Sequence, residues 1–132
     1  LLFTVFRLAL TFFLAIHNPS FASVSGTGIW CEYTASSGNN YFEGYYFTGT
    51  DVLFFDGAPE LQPRLKENYR LAEDRISWKA DNQLKWGRYN FQRNSLTIQR
   101  AGRYPDILAT GKCENASLQQ IKKNTEALRK QD

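Results

Sequence analysis

The sequence predicts an all-β domain: a small antiparallel meander barrel of about eight strands, closed by one disulfide, with a short C-terminal helix. Three observations lead there. Apolar and polar residues alternate with period two from Thr27 to Cys113, and turn-forming clusters interrupt them at short intervals. The two cysteines, Cys31 and Cys113, stand near the two ends of that stretch. After it, the apolar spacing changes to that of a helix.

The elements follow in order. Thr27–Ala35 sets Ile29, Cys31 and Tyr33 on one face and Trp30, Glu32 and Thr34 on the other. Ser36-Ser37-Gly38-Asn39-Asn40 is a turn by composition. Tyr41–Thr48 is an aromatic strand, with Gly44 marking a bulge or a close approach of backbone. Thr50–Asp56 is a short apolar strand that ends at Asp56-Gly57. Ala58–Lys66, with Pro59 and Pro63, is the longest irregular stretch and the expected functional loop. Asn68–Glu73 carries Tyr69 and Leu71 on one face, and Glu73-Asp74 turns the chain. Arg75–Ala80 alternates Ile76, Trp78 and Ala80 against Arg75, Ser77 and Lys79.

In Gln83–Gln92 the phase slips: Leu84 and Trp86 share one parity, Tyr89 and Phe91 the other. A bulge is therefore expected at Gly87. Ser95–Arg100 sets Leu96 and Ile98 inward, and Asp106–Glu114 sets Ile107, Ala109, Gly111 and Cys113 on one face. In the tail, Leu118, Ile121, Thr125 and Leu128 fall at helical spacing, and Ser117-Leu118-Gln119-Gln120 fits a capping box. The tail is either a helix lying on the barrel or a frayed, solvated end.

Residues 1–22 differ in kind. Arg7 precedes the apolar run Leu8–Ile16, and Ser20-Phe21-Ala22 supplies the small residues of a cleavage site, so 1–22 reads as a secretory signal. The run is shorter than the roughly 20 apolar residues a membrane span needs. The expected organisation is signal 1–22, barrel 23–114 and helix or tail 115–132, in an exported, periplasmic or extracellular chain. In that setting a cysteine pair is most simply a disulfide. A loop of this length makes such a bridge worth about 4 kcal/mol. In an eight-strand meander the first and last strands run antiparallel, so Cys31 and Cys113 meet and both sheet edges disappear. A two-layer sandwich bridged between sheets is the competing arrangement.

Composition excludes several chemistries. The single histidine, His17, lies in the expected signal. The remaining chain then has no Ser–His–Asp triad, no Cys–His pair, no haem histidine and no zinc site built on histidine. Carboxylate chemistry survives, but the one adjacent acidic pair, Glu73-Asp74, sits in an expected turn. Glu32 and Glu114 each follow a cysteine and, if the cysteines pair, come near each other on the outer face, where they repel unless Lys112 or another base intervenes. No metal or cofactor is implied.

Charge is unevenly placed. Residues 23–63 carry five acids and no base, whereas residues 64–132 carry fifteen bases and eight acids. An anionic ligand on the basic half would fit that polarity. The expected contact residues are Trp86 and Arg88, beside Gly87, with Lys79 on the neighbouring strand. Trp30 is a further candidate, because its parity is opposite to that of Cys31. It either faces a partner or lies beneath the tail helix against Leu118 or Ile121. Because so many aromatics fill an eight-strand barrel, a ligand is expected at a mouth or outside.

In general architecture this succession of strands with its cysteine pair resembles small exported meander barrels, such as lipocalin-like domains and periplasmic inhibitor domains. The expected function is a non-enzymatic binding module with an aromatic and basic surface for a small or polymeric anionic ligand. A protein-partner or inhibitor module of the cell envelope, docking through Trp30 or the Ala58–Lys66 loop, is the alternative. A carboxylate hydrolase is a distant third. The mature chain is expected to be monomeric, without a stable membrane span and without a nucleic-acid partner.

Overall fold

The computed structural model describes residues 23–56, 65–81, 86–102 and 107–131. Eight antiparallel strands form a closed barrel in sequence order. They are β1 (Thr27–Ala35), β2 (Asn40–Phe47), β3 (Asp51–Phe55), β4 (Leu65–Leu71), β5 (Arg75–Asp81), β6 (Trp86–Gln92), β7 (Thr97–Ala101) and β8 (Ile107–Ala116). A helix, α1 (Leu118–Lys130), follows. The barrel is the expected one, and the sandwich is not formed. β1 pairs with β8, and Cys31 stands opposite Cys113 in that register and is bonded to it.

Three elements depart from expectation. β4 begins at Leu65, so the end of the expected Ala58–Lys66 loop is strand paired with β3, and residues 57–64 lie outside the described residues. The bulge expected at Gly87 is absent: Ala80 faces Gly87 and Asp81 faces Trp86 in unbroken register. Leu84 lies outside the described residues. Trp86 therefore points outward with Arg88. Gly87 takes the inward position because Arg100 crosses there; a Cβ at Gly87 would lie 2.9 Å from its Nε. The irregularity sits instead between Arg100 and Ala101, where β7 pairs with β8. β7 also starts later than expected, since Leu96 ends the preceding turn in the left-handed region at φ 55°.

The inside is packed with side chains. Ile29, Phe47, Ile76, Phe91 and Ile98 are buried, together with Val24 ahead of β1. Around the middle, Trp78 stacks on Tyr89 at 5.5 Å, and Tyr45 meets the edge of Phe54 at 5.3 Å. The barrel also encloses charge. Glu43 is 1% exposed and accepts a hydrogen bond from Tyr45, whose oxygen lies 2.6 Å from that of Tyr33. Because Tyr45 donates to Glu43, the Tyr33 hydroxyl donates to Tyr45. Arg100 also points inward, its guanidinium 5.9 Å from the ring of Tyr89 and hydrogen-bonded to the Trp86 carbonyl. Both parities are present in the sequence, but neither residue type marks itself as interior.

Burial holds the phenols of Tyr33, Tyr45 and Tyr89 above the usual tyrosine range; Tyr33 is drawn back in part by its bond to Tyr45, and Tyr89 by the Arg100 charge. The native state therefore keeps protons that an unfolded chain releases near pH 10. Stability is unaffected below that pH and is lost as pH rises through and beyond it. In a phenolate absorbance titration these three tyrosines should ionise together with loss of native circular dichroism, not before it.

Outside the barrel, α1 covers β1, β2 and β3. Ser117 caps it, its side chain accepting from the Gln120 amide at 3.1 Å, as the capping box predicts. The helix's own Ile121 and Thr125 are buried against the barrel. The tail is thus a docked helix that also touches the end of β8, and the opposite side of the barrel, β4 to β7 with the start of β8, is left uncovered by it.

Candidate functional site

The uncovered side presents the outward residues of β4, β5, β6, β7 and β8. Arg70, Arg75, Lys79 and Arg88 all stand there, and Asp81 is the acid that accompanies them on β5. Lys79 and Arg88 are direct cross-strand partners. Like charges placed opposite each other on a sheet cost stability instead of adding to it. The Lys79 ammonium reaches Asp81 at 3.5 Å, but both side chains are more than half exposed, and such a pair offsets little. It also lies 5.7 Å from the centre of the Trp86 ring, within the range of a cation–π contact. Arg88 is tethered by its Nε to the Gly102 carbonyl at 3.2 Å. Three of the residues singled out from the sequence, Lys79, Trp86 and Arg88, therefore form one cluster.

A groove of about 1010 Å³ crosses this side, lined by Arg70, Arg75, Lys79, Arg88, Asn90 and Gln99 among others. A second groove of about 510 Å³ adjoins it at Gln99 and carries Thr34, Asn40, Thr110 and Lys112. The arrangement can hold an anion by charge and orient it by hydrogen bonds from amides and hydroxyls. Parity along a strand turns these residues outward, Asn40 apart, which falls in an expected turn and which the structure makes the first residue of β2; their adjacency depends on strand register, which no local pattern supplies.

The other candidates lie elsewhere. Trp30 is 8% exposed and sits under α1 with Ile121 and Phe55, stacked on Phe42 at 6.0 Å. Of the two positions open to it, the structure gives the one beneath the helix, so it offers no surface to a ligand. Glu73 and Asp74 are exposed in the β4–β5 turn. Glu32 faces Lys112 and Glu114 faces Trp30, so the two glutamates are not cross-strand partners. Among the described residues no cluster of three or more His, Cys, Asp or Glu side chains could hold a metal ion, and no helix is long and apolar enough to cross a membrane. No family model, no curated protein and no solved structure matches the chain.

Proposed function

We propose that the chain is an exported, non-enzymatic binding module that holds an anionic ligand on the uncovered side of the barrel. The observation that carries this is the Lys79–Arg88 cross-strand pair beside Trp86. Two cations side by side offer an anion charge and hydrogen-bond donors from both. Export is supported by the disulfide, a bond characteristic of oxidising compartments. The absence of histidine outside the expected signal supports a role without catalysis.

The test is intrinsic tryptophan fluorescence of the full chain, titrated with inorganic sulfate, citrate and dextran sulfate. Trp30 and Trp78 are buried, so a response should come from Trp86 and vanish in Trp86→Phe. Lys79→Ala/Arg88→Ala should weaken binding by roughly tenfold or more and flatten its salt dependence. Unchanged affinity in that variant would reject the reading. A protein-partner module is the second reading. It now rests on Ile107 and Leu108, 50% and 38% exposed at the start of β8, because Trp30 is covered.

A further inference from the structure

Register places a second feature on the same side. Ser77 faces Asn90, Asn90 faces Gln99 and Gln99 faces Thr110 across β5, β6, β7 and β8. The row continues from Thr110 to Thr34 on β1 and to Asn40 on β2. Six uncharged polar side chains thus form one row from strand to strand, about 4.8 Å apart; its Ser77–Thr110 part crosses β5 to β8, and its Thr34 and Asn40 part follows the barrel round to β1 and β2. Arg70 faces Ser77 and heads the line. Gln99, Thr110, Thr34 and Asn40 are exposed.

The rows on either side differ. One holds Lys79 opposite Arg88. The other runs from Arg75 through Gln92 and Thr97 to Lys112, where Glu32 of β1 stands opposite, so its positive charge lies at the Arg75 end. The pattern is a ladder of groups that both donate and accept, or can take either role, running between two rails that carry positive charge.

The occupant should match both parts. A small anion would use a rail and leave the ladder idle. A single-stranded nucleic acid would gain most from aromatic platforms, and the ladder contains no aromatic residue. An acidic polysaccharide offers hydroxyls at regular intervals along its length and negative groups at its edges. We infer that the Ser77–Asn90–Gln99–Thr110 row binds the hydroxyls of an acidic polysaccharide lying across the strands, with its carboxylate or sulfate groups against Lys79, Arg88 and Arg75. This names the ligand class of the proposed anion site and rests on that reading.

The experiment measures affinity of the full chain for polygalacturonate, neutral dextran and oligo-dT by calorimetry. The variants are Gln99→Ala/Thr110→Ala and Lys79→Ala/Arg88→Ala, each checked for native circular dichroism. Gln99→Ala/Thr110→Ala replaces two exposed side chains in mid-strand. It should weaken polygalacturonate binding by roughly tenfold, as loss of two hydrogen-bonding groups implies, while leaving the salt dependence and the affinity for inorganic sulfate as in the wild type. Lys79→Ala/Arg88→Ala should lower affinity and salt dependence together. Wild-type affinity for polygalacturonate in the ladder variant overturns the inference, and so does tighter binding of oligo-dT than of polygalacturonate. In either case sulfate binding that still needs Lys79 and Arg88 leaves the anion-binding reading standing. Absence of binding to every anion, sulfate included, overturns both.

Discussion

Reducing the Cys31–Cys113 bond, or replacing both cysteines with serine, should lower the stability of the barrel by about 4 kcal/mol. The bond joins residues 82 apart and connects the first strand to the last. Without it the unfolded chain regains the freedom that the closed loop denies it, and that freedom is the larger the longer the loop. The native state has a second stake in the bond. The β1–β8 pairing has the greatest sequence separation of the eight strand pairings, so its formation carries the largest loop-closure cost. A denaturant titration with and without reductant measures the effect. A small domain has a net stability of only about 5–15 kcal/mol, so the reduced form should unfold at a clearly lower denaturant midpoint, with the helix lost in the same transition. A midpoint unchanged by reduction would show that strand pairing alone closes the barrel.

Trp30→Ala should cost about 3–5 kcal/mol, the range for truncating a large buried aromatic. Its ring fills the seat of α1 with Phe55 and Ile121. Two glycines shape that seat. A Cβ at Gly44 would lie 2.7 Å from Ile121 Cγ2 and 2.9 Å from Trp30 Cε3, and one at Gly28 would lie 2.7 Å from Ile121 Cδ1. Ile121 therefore sits directly over two places where the sheet has no side chain. A helix of 13 residues is marginal alone in water, so it depends on this packing. Trp30→Ala should reduce helical circular dichroism before the barrel unfolds, and Gly44→Val should do the same by steric displacement with every core side chain still present. Retention of the full helical signal in both variants would mean that α1 is held by contacts other than its seat.

These two expectations draw on different kinds of information. The strands, the facing of Cys31 and Cys113 and the Ser117 cap were legible in the chain because each is a matter of local geometry. A strand alternates its side chains whatever it packs against, and a capping serine acts on an amide three residues away. Parity also told which way Trp30 points, but it did not say that α1 would cover it. The phase of β6 misled for a related reason: the change of parity between Trp86 and Tyr89 suggested a bulge at Gly87, whereas the register is unbroken, the Trp86 ring lies outside beside Lys79 and the inward place at Gly87 belongs to Arg100.

Glu43 and Arg100 escaped attention because charged residue types announce a surface. Their burial becomes tenable only with polar partners inside the barrel: for Glu43 the neighbouring Tyr45 on the same strand, itself bonded to Tyr33 of β1, and for the Arg100 guanidinium the Tyr89 face and the Trp86 carbonyl. The cationic pair and the polar ladder belong to this second category. Their members are spread from Thr34 to Thr110 and become neighbours through register, which depends on how all eight strands pair and close. The alternation of residues along the chain thus dictates the barrel, its disulfide and the facing of most side chains. Pairing across strands, which no stretch of sequence contains, assembles the site and chooses what α1 hides.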